Sequence, residues 1–425
     1  MRNSPVRLPF GAVLSRRSAV RTWMRSPASR QSRYALDCLN CLIGSVQTGL
    51  GTFVAFYLSS LGWSKESVGL ALATGQVAGM LGQIPGGAIT DAIAWKRGFA
   101  ALGILMSMGA ALIFAAAPQV TLVFVAEILD GLTAAIVPLA IAAISLGLAG
   151  QRAMSSRTGR NYRFAAAGII ATAVAQGLIA SFFAKNAIFF ATAALCVPAL
   201  LALSLIKPNE IDYRRARNAA PDEGAKPKTV KTLMRDRKLL CFALCLVLFQ
   251  FADASLVPLV SENIGRSKVE NSSLQITGLI VTAQLAVMFL APWVGYLSEG
   301  YGRKPLLLLG FGMEAARSVL FASTTTYSWL LVGQFLGGVT SAIVEVLVIV
   351  IITDLTARTG RFNLVSGAVT MLMGIAGAIS IAMSGFIFHA AGHLQAFMIF
   401  AVIAGMATLS AWFLLPETKP ARYAD

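Results

Sequence analysis

TGQVAGMLGQIPGGAITDAIAWK, residues 74–96, returns as TAQLAVMFLAPWVGYLSEGYGRK, residues 282–304. Thr74 and Thr282 lie 208 positions apart, and the same step carries Gln76, Ala78, Met80, Gly87 and Lys96 onto Gln284, Ala286, Met288, Gly295 and Lys304. It also carries Asp91 onto Glu299, a carboxylate onto a carboxylate. Each copy is an apolar run that ends in a short, charged, turn-forming tail. A helix leaving a bilayer reads this way, with Lys and Arg at the water interface. The glycines allow another helix to approach closely.

Composition agrees with a membrane protein. The chain has 425 residues, 56% of them hydrophobic and only 13% charged, with a mean hydropathy of +0.72. Soluble chains carry about 25% charged residues. The apolar blocks are long enough to span a bilayer, which takes about 20 residues. The net charge of +16 is not a nucleic-acid footprint. If the N-terminus is cytoplasmic, Lys65, Lys185, Arg266 and Lys268 fall on the far side, Arg317 falls within a helix, and the rest of the 35 Lys and Arg fall in cytoplasmic segments. That bias orients a membrane protein. Nucleic-acid binding would need a basic face with interleaved aromatics.

The chain divides into a basic tail (1–33), a six-helix half (34–206), a linker (207–237), a second six-helix half (238–416) and a polar tail (417–425). The first tail holds eight Arg and no acid; Met24 is a second candidate start. Expected helices run at 34–61, 66–90, 98–117, 120–148, 163–184 and 187–206. Those of the second half run at 238–260, 273–297, 305–324, 328–353, 364–389 and 395–415. The stretch QRAMSSRTGRNYR, 151–163, reads as a basic loop. The repeat extends further. ILDGLTAAIV from Ile128 matches FLGGVTSAIV from Phe335, Arg157-Thr158-Gly159-Arg160 matches Arg358-Thr359-Gly360-Arg361, and Gln47 aligns with Gln250. The expected fold is therefore all-α, with twelve transmembrane helices in two pseudo-symmetric halves.

Gly295, Glu299, Gly302, Arg303 and Lys304 resemble the signature loop of the major facilitator superfamily, G-x-x-x-D/E-x-x-G-R-K/R. The first copy keeps Gly87, Asp91 and Lys96 but has Ala94 and Trp95 where the family has Gly and Arg. The resemblance spans about residues 34–416. It implies a secondary transporter that works by alternating access, with helices 1, 4, 7 and 10 around a central cavity. It also implies that Gly87, Asp91, Lys96, Gly295, Glu299, Gly302, Arg303 and Lys304 form conformational latches. Two family features are missing. Aligning on Gly131 puts Glu127 and Asp130 where many multidrug exporters carry the Arg and Gln of R-x-x-Q-G. Helix 5 also lacks the Pro of G-x-x-x-G-P-x-x-G-G.

Ionised side chains near the bilayer centre are expensive, about 2.5–3.5 kcal/mol on insertion scales. Glu127, Asp130, Asp253, Glu314, Arg317 and Glu345 are of this kind. Glu127 and Asp130 share a helix face, and like charges oppose joint ionisation. The pair reads as a proton site, or as a pair satisfied by a neighbouring helix. Asp253 and Gln250 also share a face and are expected at the cavity. Glu345 has no charged neighbour on its own face. Glu314 and Arg317 read as an internal ion pair on helix 9. The expected substrate and proton residues are thus Asp130, Glu127, Asp253, Glu345, Gln250 and Gln47, with Asp130 the leading one. His389 and His393 are four apart with no third ligand evident, and five Cys give no disulfide framework.

No G-x-x-x-x-G-K-[ST] sequence and no nucleophile–His–acid constellation is present, so neither ATP hydrolysis nor enzymatic chemistry is expected. No cofactor is called for. Five membrane acids against one Arg favour a small neutral or cationic substrate, moved with protons, with efflux slightly ahead of nutrient import. A receptor or scaffold without transport is the alternative from another class. The expected setting is a bacterial inner membrane, with both termini cytoplasmic, a lipid bilayer and small-molecule partners, no nucleic acid, and a monomeric chain.

Overall fold

The computed structural model describes residues 28–116, 119–182, 184, 186–220, 227–266 and 272–419. In hydrocarbon every backbone N–H and C=O must be satisfied within the segment, which leaves helices as the spanning element here. The first half holds α1 (Arg30–Ser60), α2 (Lys65–Ala92), α3 (Lys96–Ala116), α4 (Val120–Ala149), α5 (Met154–Phe182) and α6 (Ala187–Leu205). In the second, α7 runs Arg237–Asp253 and resumes at Leu256–Arg266. It is followed by α8 (Ser272–Tyr301), α9 (Arg303–Ser323) and α10 (Tyr327–Leu355). Phe362–Leu414 is continuous, but Gly392 breaks it at φ 82°, giving α11 (362–391) and α12 (393–414). Among the described residues, eight helices are long and apolar enough to cross a membrane, the continuous Phe362–Leu414 counting as one of them. The equally long α1, α2 and α5 are more polar.

Three expectations need correction. Residues 154–163 are not a loop but the first turns of α5. Their polar side chains are used inside: Arg157 and Arg160 ion-pair with Asp37 of α1, and Asn161 bonds Asn40 and Ser145. The basic tail gives up its last residues to α1, which Ser29 caps by accepting Ser32 N; residues 1–27 lie outside the described part. The linker, expected only as the boundary between the halves, holds a 3-10 turn at Pro208–Glu210 and short helices at Tyr213–Ala216 and Val230–Met234.

Within the first half α1 packs on α5 and α6, and α4 on α2 and α3; within the second α7 packs on α11, and α10 on α8 and α9. The halves meet where α2 faces α11 and α5 faces α8. Small residues permit this. A Cβ at Gly87 would strike the backbone of Asn363, and one at Gly295 that of Ser155; Gly367 meets Gln83 and Gly159 meets Ala291 in the same way. These contacts sit at one end of the bundle, here called the linker face. The linker is bound there to both halves. Asp212 N donates to Gly147 O at the end of α4. Asn218 Nδ2 donates to Thr353 O of α10, and Asn363 Nδ2 to Ala216 O.

The packing also corrects the internal register. Gly87:Asn363 and Gly295:Ser155 are one contact seen twice, so Ser155 corresponds to Asn363, and Gly159 to Gly367 rather than to Gly360. The Arg-Thr-Gly-Arg match joins a helix to a turn, in which Arg358 has φ 62°. Lys96 corresponds to Arg303, not Lys304. Each opens its helix and is buried, and each donates to the end of the preceding helix, Lys96 Nζ to Thr90 O and Arg303 Nη1 to Ser298 O.

Candidate functional site

A cavity of about 240 Å³ lies between the halves. Gln83 of α2, Pro138 and Leu139 of α4 and Tyr162 of α5 line it from the first half. Gln250 and Asp253 of α7, Glu345 of α10 and Thr370 of α11 line it from the second. Most of the remaining lining is apolar. Glu345 is exposed into this cavity while lying mid-way along α10. No ion pair or hydrogen bond reaches it among the described residues. An unpaired carboxylate at that depth must be served by water, a proton or a bound molecule. Gln83 Oε1 is also without a hydrogen-bond partner among the described residues. Of the expected site residues the cavity collects Asp253, Gln250 and Glu345. Gln47 is exposed on α1 and is not part of the lining.

Asp253 has a partner that sequence spacing did not reveal. Arg317 Nη1 donates to Asp253 Oδ1 at 2.8 Å and to Glu314 Oε1 at 3.1 Å, and Nη2 donates to Gln334 Oε1 at 3.3 Å. The expected internal pair on α9 therefore exists, but its guanidinium also reaches the cavity wall. Asp253 ends the first segment of α7. The break that follows is held by Ser255, whose hydroxyl pairs with Ser380 Oγ. Tyr162 and Gln83 were also missed. Tyr162 falls in the stretch whose sequence reads as a loop, and nothing in the sequence marks which face of α5 or α2 meets the other half.

Glu127 and Asp130 do not reach the cavity lining, and neither has an ion-pair partner among the described residues. Asp130 lies one helical turn before Ala134, which does line it. Glu127 is buried with a carboxylate oxygen against Gly75 of α2. The repeat explains the placement. Thr133 Oγ1 donates to Gly103 O as Thr340 Oγ1 does to Gly310 O, a step of 207 positions. By that step Glu127 and Asp130 stand where Gln334 and Gly337 surround Arg317, while Ala110 stands in place of Arg317. The first half thus keeps acids in a slot whose counterpart holds a guanidinium.

The signature loops are unequal. Asp91 is buried and accepts from Asn363 N at 3.1 Å and Leu364 N at 2.9 Å, capping α11 across the half-to-half boundary. Free N–H groups at a helix start favour such an anion. Glu299, its counterpart, is exposed and caps nothing, because α5 is entered through the 3-10 turn Gln151–Ala153. A different helix start, that of α9, receives a carboxylate from the C-terminal tail. Glu417 accepts from Arg303 N at 2.9 Å and Lys304 N at 3.1 Å. Gly302, at φ 102°, leaves room for it. Partial burial disfavours the charged Glu417, but the backbone N–H groups of Arg303, Lys419 and Lys304 outweigh it and hold the carboxyl below its ordinary range. Arg303 Nε pairs with Asp354 at 3.1 Å, and Lys304 Nζ donates to Trp412 O.

Comparisons with known proteins match this picture. The family model described as Major Facilitator Superfamily matches residues 36–272 and 255–425. A protein of Mycobacterium tuberculosis described as an uncharacterized MFS-type transporter is 32% identical over 388 residues, covering 90% of this chain and 93% of that one. The class H tetracycline resistance protein of Pasteurella multocida is 30% identical over 169 residues, 37% of this chain and 42% of that one. Among solved structures, a double-Trp mutant of XylE superposes with a TM-score of 0.73 at 14% identity, covering 92% of this chain and 96% of that one. The proton:xylose symporter XylE bound to 6-bromo-6-deoxy-D-glucose gives 0.70 at 14% identity, covering 91% and 97%. Two repeated helical halves around a shared cavity, matched by the family model on both sides of the linker, make this chain a multi-pass membrane transporter that belongs to the Major Facilitator Superfamily.

Proposed function

We propose that the chain is a proton-coupled secondary transporter that moves a small neutral or cationic molecule outward by alternating access. The observation that carries this reading is Glu345, a carboxylate without a partner among the described residues, facing a cavity between two halves that touch through glycines on one side. Such a carboxylate can hold a proton or a cationic group in one state and release it in the other. Asp253 and Gln250 share the cavity. Apolar walls with few polar groups suit a small organic molecule. Asp130 and Glu127 stand off the cavity by a turn, so in this reading they serve a proton path rather than the cargo.

The linker face is cytoplasmic in this reading, because the positive-inside bias puts the linker and both tails there. The close contacts at that face then describe an outward-facing state, with Asp91, Lys96 and Arg303 among the groups that keep it shut. The likeness to a tetracycline resistance protein supports efflux, although it covers only part of the chain. Uptake of a nutrient is the second reading. The test uses inverted membrane vesicles with an acidic interior and a pH dye, given a panel of cationic drugs, neutral metabolites and vitamins. A compound that collapses the gradient with wild type but not with Glu345→Gln or Asp253→Asn establishes proton-coupled efflux. If no compound does so, and whole cells accumulate a neutral metabolite, uptake replaces it.

A further inference from the structure

We infer that Arg317 is a built-in cation that competes for Asp253 with whatever positive charge the cavity receives, and that Glu314 is the seat to which it withdraws. The inference rests on the reading of the cavity as the transport site. It assigns a positioning role to two residues of α9 that do not line that cavity.

The geometry is asymmetric. One guanidinium is shared by two carboxyl groups, those of Asp253 and Glu314. Arg317 and Glu314 have side chains 3% and 0% exposed, whereas Asp253 is 29% exposed and lines the cavity. Of the two acids, only Asp253 can be reached from the cavity. A proton or a cationic group arriving there displaces Arg317 from Asp253. A buried Arg stripped of its only partner would be strongly destabilising. Glu314 removes that penalty, because the same Nη1 already donates to it. Gln334 holds Nη2, the ring of Phe321 lies 5.3 Å from Cζ, and Gly337 leaves space where a Cβ would collide with the guanidinium. The Arg is thus held in place whether or not Asp253 is engaged.

The charged and titratable groups around Asp253 are Arg317 and Glu314 on α9, Glu345 on α10 and Tyr162 on α5. Arg317 is the only cation among them. Asp253 also stands at the break in α7, just before Ala254 and Ser255, so loss of the ion pair acts on the point where that helix is interrupted. The device belongs to the second half alone, since the repeat places Ser107 and Ala110 where Glu314 and Arg317 stand.

The test reads the state of Asp253 without knowing the cargo. Purified full-length protein in detergent is treated with dicyclohexylcarbodiimide, which modifies protonated carboxyls in apolar surroundings, and Asp253 labelling is quantified by mass spectrometry. In the wild type the guanidinium bonded to Asp253 shields its carboxyl from the reagent, and labelling is low. Arg317→Met raises labelling about tenfold, the scale of losing one contacting opposite charge. Arg317→Lys, a single-point donor, gives an intermediate rise and carries the test if the Met variant does not fold. Glu314→Gln leaves Asp253 labelling at or below the wild-type level, because Arg317 is confined to Asp253. The same change slows cargo-driven proton flux several-fold in vesicles. Unchanged labelling in both Arg317 variants overturns the inference, as does a Glu314→Gln protein with wild-type flux. If no compound moves protons in any variant, the transport reading fails, while the labelling still decides whether Arg317 controls Asp253.

Discussion

Asp37 shows how a membrane charge is made tolerable at the level of one residue. Its carboxylate is buried and takes both Arg157 and Arg160 from α5. Breaking a buried pair leaves an uncompensated charge. Asp37→Asn is therefore expected to lower stability by about 3 kcal/mol, read as a fall in melting temperature in detergent. Asp37→Ala combined with Arg157→Met should recover part of that loss. Glu345 is the opposite case. With no partner among the described residues to strand, Glu345→Gln should leave the stability within about 1 kcal/mol of wild type while abolishing gradient-linked movement of cargo. A large loss of stability would place a structural partner on Glu345. Spacing along one helix revealed Glu314–Arg317 but not Asp253–Arg317 or Asp37–Arg157. Those pairs join residues 64 and 120 positions apart, and no local pattern encodes such a distance.

At the scale of elements, the ends of helices differ more than their sequences do. Asp91 caps α11, so Asp91→Ala should cost about 1 kcal/mol of packing at that boundary and loosen the linker face. A cysteine placed at Thr370 in the cavity would then react faster with a membrane-impermeant thiol reagent applied from the linker side. Unchanged reactivity would mean that the cap does not control access. Glu417 gives a pH dependence whose sign follows from its lowered value. Its contribution is complete above the ordinary Glu range, about 4.3, and is lost as the pH falls through the held-down value. A spin label at Thr418 should therefore be immobile at neutral pH and gain mobility only on acidification below that range. Glu417→Gln should show the mobile spectrum at pH 7. The signature motif marks Glu299 as a latch, but its side chain is exposed. The start of α9 takes its carboxylate from the tail, as Glu417.

For the whole molecule, the decisive contacts are those between halves. Gly159→Val would drive a side chain into the backbone of Ala291, so the two halves could no longer close as they do here. Expected is a folded protein, with an unchanged helical signal by circular dichroism, whose cavity is open to the linker side and whose transport is at least tenfold slower. Normal transport by this variant would show that closure of the linker face is not part of the cycle. The linker takes part in the same closure, because its residues 212–218 bond to α4 of one half and to α10 and α11 of the other.

The class of the molecule is legible in the chain alone. Apolar runs of spanning length, Lys and Arg gathered on one side, and a repeat at 208 positions are one-dimensional properties, and they suffice for twelve helices in two halves. Tertiary structure decided which polar residues share a space. A helix offers several faces to its neighbours, and only packing selects the one that looks inward. Hence Asp253, Gln250 and Glu345 meet with Gln83 and Tyr162, whereas Asp130, Glu127 and Gln47 stand apart from them. The same reason governs the register. Residue identity aligned Lys96 with Lys304 and Gly159 with Gly360, but burial and close backbone approach pair Lys96 with Arg303 and Gly159 with Gly367.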